Sequence, residues 1–316
     1  MQSQPTAPPH VAYLIASHTL PDQVLRLASV LRRGSPGASL VLHHDDRSCS
    51  IDRAELNALD VRLVEPPTAV EWGESSQLEM VLRCLRWNLD HTDFDWLVLI
   101  SGQDYPIRPI AQIERSLADA AVDALIETCP CERPGLLSAV DEFAGRYHFR
   151  WRRTESSAVS SLAQAASRKG SFIRTRALPS GTWVGVRALR SPFGPGLVCR
   201  RGSDWFNLSR AAVEAVDAFV SARPDVLRHY RRTLHPTESF VQTVLANSPS
   251  MRLSGDYRRY TKWGAPNQTG PQVLRMSDLD AMVESGWDFA RKFDETVDRA
   301  VLDEIDRRVH SSQPER

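Results

Sequence analysis

Three short segments hold residue types that could do chemistry. In His235-Pro236-Thr237-Glu238-Ser239-Phe240, Pro-Thr opens a helix and puts Glu238 in its first turn, where backbone dipoles stabilise a carboxylate. That position suits a capping acid, and it equally suits a general base at a pocket rim. The dipole alone lowers a carboxyl pKa, so useful basicity requires partial desolvation as well. In Phe289-Ala290-Arg291-Lys292-Phe293, two adjacent cations sit between aromatics. They form either a solvated turn or a pyrophosphate clamp, with Arg291 as a bidentate fork and Lys292 as a point charge. In Ser101-Gly102-Gln103-Asp104-Tyr105-Pro106, Gly102 permits a sharp turn. Asp104 either pins that turn ahead of Pro106 or reaches a ligand.

These segments need a scaffold, and the hydrophobic pattern supplies one. Apolar runs at 11–17, 39–45, 61–64, 96–101 and 124–127 read as strands. Between them Val24, Leu27, Ala28 and Leu31 mark one helix face, and Leu78, Leu82, Leu85 and Leu89 mark another. Strands that are apolar throughout and alternate with helices predict an α/β fold, a mostly parallel sheet with helices on both faces. In such sheets ligands bind beyond the carboxyl ends of the strands. The residues to watch are therefore Ser17-His18, His43-His44-Asp45-Asp46 and Ser101–Asp104. No G-x-G-x-x-G follows the first strand and no Walker A sequence occurs, which argues against a dinucleotide Rossmann enzyme and a P-loop NTPase.

Residues 145–201 are rich in Arg and Ser and lack periodicity, so long loops or a mobile insertion are expected there. Regular structure is expected to resume at 203–208, with helices at 211–221, 237–247, 277–284 and 297–309. Residues 1–10 read as a flexible leader and 11–316 as one domain, in which the irregular segment separates 11–144 from 202–316.

The 316 residues carry 39 Lys+Arg against 39 Asp+Glu, a formal net charge of zero. That removes the chain-wide attraction expected of a nucleic-acid or membrane-surface binder, so any anion site must be local. No apolar run is long enough to span a bilayer. Five scattered cysteines in a chain of this size fit a reducing, cytoplasmic setting. Cys129-Pro130-Cys131 is a lone C-x-C, which does not by itself make a zinc motif. The only lysines are Lys169, Lys262 and Lys292.

Taken in order, VAYLIASH, LHHDDRS, WGESS, DWLVLISGQDYPIR, GSDWFNLSR, HPTESFVQTVLANSP and FARKFD resemble the core-2/I-branching glycosyltransferase family. They span about 11–306, and the last three are most similar to its xylosyltransferase branch. The resemblance implies a GT-A fold, a single catalytic domain with a nucleotide-sugar half over 11–144 and an acceptor half over 202–316, and a soluble, bacterial-type member of the family. It implies inverting, metal-independent transfer of xylose or N-acetylglucosamine from a UDP donor to an acceptor hydroxyl, with no cofactor. It implies Glu238 as general base and Arg291 and Lys292 as pyrophosphate ligands. Asp45 is expected at the nucleoside, with His18 on the same donor side, and Trp72 beside the donor. Asp204, Trp205 and Asp104 are expected near the transferred sugar and acceptor, Asp104 standing where metal-dependent relatives of the wider fold place D-x-D. Position 46 is Asp where the family commonly has a base, and neither the membrane anchor nor the disulfides of Golgi members are expected here. A non-catalytic nucleotide-sugar-binding protein is the rival expectation.

Overall fold

The computed structural model describes residues 9–133, 140–169, 172–264 and 270–310. The chain first forms β1 (Val11–Ser17), α1 (Pro21–Gly34), β2 (Ser39–His44), α2 (Arg53–Ala58), β3 (Val61–Leu63) and α3 (Ser75–His91). Next come β4 (Trp96–Ser101), β5 (Asp104–Pro106), α4 (Ile110–Ala118), β6 (Ala124–Ile126) and β7 (Cys129–Pro130). The middle holds α5 (Glu142–Tyr147), β8 (Phe149–Thr154), α6 (Ser157–Lys169), β9 (Ile173–Leu178), β10 (Gly181–Arg187) and β11 (Arg200–Arg201). Then follow β12 (Phe206–Ser209), α7 (Arg210–Ala222), α8 (Pro224–Tyr230), α9 (Phe240–Ala246), β13 (Leu253–Ser254) and β14 (Arg259–Thr261). The last elements are α10 (Leu279–Glu284), β15 (Phe289–Arg291) and α11 (Glu295–Ile305).

The central sheet runs β13-β6-β12-β4-β1-β2-β3. All of its pairs are parallel except those of β12, which opposes both neighbours. Alternate residues of β1 feed two cores, which explains its unbroken apolar run. Val11, Tyr13 and Ile15 pack with Leu27 and Leu31 of α1, Leu117 of α4 and Leu302 of α11. Ala12 and Leu14 pack on the other face with Leu85 of α3, Val216 of α7 and Phe240 of α9. The sheet is thus covered on both sides, as expected.

Direction then decides where the site residues fall. β1, β2 and β4 point the same way, so His18, Asp45 and Ser101 emerge along one carboxyl edge. Because β12 runs against β4, the residues just before it, Asp204 and Trp205, return to that same edge. A small sheet, β14-β15-β5, stands beside it and pairs Arg291 directly with Asp104.

Three expectations need correction. Within the segment 145–201, expected to be irregular, the described residues hold regular structure: β8, β10 and β9 form an antiparallel sheet, with α6 packed against it. In β8 Phe149 and Trp151 turn inward while Arg150 and Arg152 face solvent, so the arginines of that strand mask a period-two pattern. Secondly, the helix expected over 237–247 begins only at Phe240; Pro236–Glu238 form a separate 3-10 turn between His235 in a left-handed conformation (φ 49°) and Ser239 (φ −147°). Glu238 is therefore not in a first α-helical turn. Thirdly, residues 1–8 of the expected leader lie outside the described residues, and His10 is tied down, its N–H donating to Asp95 Oδ2 at 2.8 Å. Among the described residues no helix is long and apolar enough to cross a membrane.

Candidate active site

Glu238 ends its 3-10 turn with its carboxyl turned into the structure, 24% exposed. Oε2 accepts from Arg146 Nη1 at 2.5 Å, and Arg146 Nη2 donates onward to Glu142 at 2.9 Å. Arg146 is held there by α5, whose first turn is capped by Asp141 accepting from the Ala144 N–H at 2.8 Å. Its guanidinium also lies over the Phe143 ring, 5.0 Å from the centroid. Burial, then the neighbouring Asp204 carboxylate, push the Glu238 pKa up to about 8, against the opposing pull of Arg146. For Asp204 burial dominates as well and raises its pKa, while Arg291 and Arg146 pull it down. Its Oδ1 is sealed from solvent and has no hydrogen-bond partner among the described residues. Glu238 is an acid whose proton is held by desolvation.

His235 lines the same wall, its Nδ1 3.8 Å from Glu238 Oε1. That is too long for a hydrogen bond. Burial and Arg146 lower the His235 pKa to about 3, so the ring is neutral at physiological pH and supplies no counter-charge. Trp72 meets it edge-on, with ring centroids 4.6 Å apart, and remains 45% exposed. Gly73 makes this approach possible: its φ is +79°, a Cβ there would come within 2.9 Å of the His235 ring, and its carbonyl accepts from the His235 N–H at 2.8 Å. The W-G segment and the P-x-E segment form one wall.

At the end of β15 Arg291 Nε donates to Asp104 Oδ1 at 2.9 Å, and its guanidinium lies 4.2 Å from the Trp205 ring centroid. Asp104 is fully buried and also accepts from the Ser101 N–H at 2.7 Å. Asp104 thus pins the turn, one of the two roles that its sequence left open, and it also orients Arg291. Among the described residues both Nη groups of Arg291 lack hydrogen-bond partners, and Lys292 makes no ion pair. By contrast, Lys262 is held by Asp278 at 2.5 Å.

Asp45 and His18 stand further along the edge. Both oxygens of Asp45 are occupied, by a bidentate Arg47 and by the Val70 N–H at 2.8 Å, which holds its pKa well below the usual carboxylate range. Arg47 also reaches Glu71 at 2.8 Å, so the loop after β2 is fastened to the loop bearing Trp72. Arg47 supplies the positive charge that Asp46 lacks. His18 is exposed, and its carbonyl accepts from Cys49 Sγ at 3.6 Å. The site thus joins Glu238, Asp204, Trp205, Arg291, Asp104 and Trp72 closely, with Asp45 and His18 as an outer arm.

Sequence reasoning missed Arg146 and His235. The signal for Arg146 was present in Asp141-Glu142-x-x-x-Arg146, a cap followed by an i,i+4 ion pair, inside a stretch set aside as irregular.

A doubly covered, mostly parallel α/β sheet with these groups at its carboxyl edge is the GT-A arrangement. The chain belongs to the Core-2/I-Branching enzyme family, whose model matches residues 11–129 and 155–283. It is 26% identical over 311 residues to Xylosyltransferase 2 of Rattus norvegicus, covering 86% of this chain and 31% of that protein. It is 24% identical over 324 residues to Beta-glucuronosyltransferase GlcAT14A of Arabidopsis thaliana, covering 98% of this chain and 66% of the relative. The chain spans about a third of the length of the xylosyltransferases that it matches. Among solved structures it is similar to galactosyltransferase LgtC with donor and acceptor sugar analogs, at 8% identity and a TM-score of 0.34, covering 96% of this chain and 98% of that one. A likeness that slight supports nothing further.

Proposed function

We propose that this chain is an inverting glycosyltransferase that moves a sugar from a UDP donor to an acceptor hydroxyl without a divalent metal at the donor. The observation that carries the reading is a desolvated Glu238 with a raised pKa and an Arg291 without Nη partners among the described residues, both electrostatically coupled to Asp204. Inversion requires in-line attack, with the acceptor oxygen arriving opposite the departing diphosphate. Glu238 takes the hydroxyl proton as the new bond to the anomeric carbon forms and the bond to the phosphate oxygen breaks. A base whose pKa lies near the working pH combines adequate ionisation with driving force. Arg291 and Lys292 meet the charge that develops on UDP, where enclosure strengthens a fixed cation. The metal-free reading is supported by Asp104, the acid in the metal-binding position of the wider fold, being engaged by Arg291 and by a backbone amide.

A donor screen that follows UDP release from UDP-xylose, UDP-N-acetylglucosamine and UDP-glucuronic acid tests the assignment. The third donor is included because the Arabidopsis relative, a glucuronosyltransferase by name, aligns over 98% of the chain. Glu238→Gln should bind UDP normally and lose roughly 10²–10⁴-fold in turnover. Retention of more than about a tenth of the activity would reject Glu238 as the base. Binding of UDP with no release from any donor would instead favour a non-catalytic nucleotide-sugar-binding protein.

A further inference from the structure

Behind the Glu238 turn lies a second cluster that the transfer chemistry does not use. Cys131, His148 and Cys199 are all buried, at 5%, 2% and 2% exposure, and one ligand-type atom from each lies within 4.8 Å of the others. Three separate elements deliver them. β7 and β11 pair antiparallel, and just beyond that ladder the Cys131 N–H donates to the Cys199 carbonyl at 2.9 Å. His148 ends α5, its own N–H donating to the Ala144 carbonyl at 2.9 Å. Cys129, the other member of the C-x-C pair, takes no part in the cluster.

The imidazole shows what the cluster lacks. Nε2 of His148 is paired with the Cys131 carbonyl at 3.2 Å, whereas Nδ1 is sealed from solvent with no partner. A ring whose Nε2–H donates to a carbonyl presents a bare lone pair at Nδ1. Histidines that ligate metals are oriented in this way, with the second nitrogen fixed by a backbone or carboxylate acceptor. Two thiolates with one neutral imidazole make a donor set that selects a soft or borderline divalent ion, zinc first. Two thiolates and one Zn²⁺ also sum to zero charge, which a buried site requires.

We propose that Cys131, Cys199 and His148 Nδ1 bind a zinc ion. They supply three of the four tetrahedral positions; Ser239 Oγ, 3.7 Å from Cys199 Sγ, is already paired with the Arg200 carbonyl and the Tyr230 hydroxyl. With metal–ligand distances of about 2.0–2.3 Å, neighbouring ligands in a tetrahedral site stand roughly 3.5 Å apart, so the cluster has about an ångström to close. Binding releases the two thiol protons to solvent and changes no oxidation state. Cys131 and His148 fall between the two segments that match the family model. The site acts on the catalytic turn from behind: Ser239 follows Glu238, and the Gly202 N–H, three residues after Cys199, donates to the Glu238 carbonyl at 2.8 Å. The proposal does not depend on the transferase reading.

The test is metal content of the intact chain, purified without chelator from zinc-supplemented medium and measured by elemental mass spectrometry. About one zinc per chain is expected. Cys199→Ser and His148→Ala should lose most of it, while Cys129→Ser should keep it. Refilling the stripped wild-type chain with Co²⁺ should give the intense near-ultraviolet thiolate band, a readout that requires no variant to fold. Less than about a tenth of a zinc per chain together with no cobalt–thiolate band overturns the proposal. So does a Cys131–Cys199 disulfide found by peptide mapping of the protein as purified.

Discussion

At the scale of single residues the decisive quantity is where Glu238 holds its proton. Its pKa in the folded chain, about 8, lies above the ordinary value of 4.5 because burial and Asp204 penalise the charge more than Arg146 rewards it. If the ionised form is the base, kcat/KM should rise with pH to a plateau with a midpoint near 8 instead of near 4 or 5. Arg146→Ala removes the charge that favours ionisation, so the midpoint should move further alkaline; a shift toward acid would contradict this assignment. Stability gives the same information without an assay. A carboxyl whose pKa is raised on folding contributes stability that is full below pH 4.5 and is lost as pH climbs through about 8. Glu238→Gln cannot ionise, so its Tm relative to wild type should increase steadily across that window. A difference in Tm that stays constant from pH 5 to 8.5 would mean that the acid is not desolvated.

At the scale of elements, the site depends on loops brought close by residues without side chains. A Cβ at Gly202 would fall 2.0 Å from the Glu127 carbonyl oxygen, backbone that cannot swing aside. Gly202 is also the donor to the Glu238 carbonyl and stands two residues before Asp204. Gly202→Ala should therefore displace the 202–205 segment and lower turnover by at least about tenfold, since an ångström of misplacement suffices for that. Wild-type kcat in a folded Gly202→Ala protein would show that this loop does not set the geometry. The same loops show what the sequence could and could not disclose. Strands β1, β2 and β4 and helices α1 and α3 were legible because both faces of the strands and one stripe of each helix are apolar. The 3-10 turn at 236–238 was not, because Pro-Thr-Glu suits either helix type and the break at Ser239 comes from tertiary bonds to Arg200 and Tyr230. Asp104, Glu238 and Arg291 could be named from their segments. The hydrogen bond from Arg146 to Glu238 spans 92 residues and leaves no mark in either segment.

At the scale of the whole molecule, a formal net charge of zero means that no long-range field gathers anionic ligand, so attraction must come from the residues that touch it. The residues proposed to hold it are supplied from both ends of the chain: Trp72 lies in the loop after β3, whereas the cations Arg291 and Lys292 belong to the segment at β15, which is tied back to β5 through Asp104. If UDP is held by both groups as proposed, it stabilises only the folded arrangement, because the unfolded chain does not juxtapose them. At about 100 times Kd that linkage is worth about 2.7 kcal/mol, which for a chain of this size is on the order of 5 °C in Tm. Lys292→Ala, whose lost ammonium makes no ion pair among the described residues, should leave the Tm of the unliganded protein within about 1 °C of wild type. At the same UDP concentration its ligand-induced rise should fall by more than half. An equal rise in both proteins would place the diphosphate elsewhere, and a large drop in the unliganded Tm would mean that Lys292 supports the fold instead of the nucleotide.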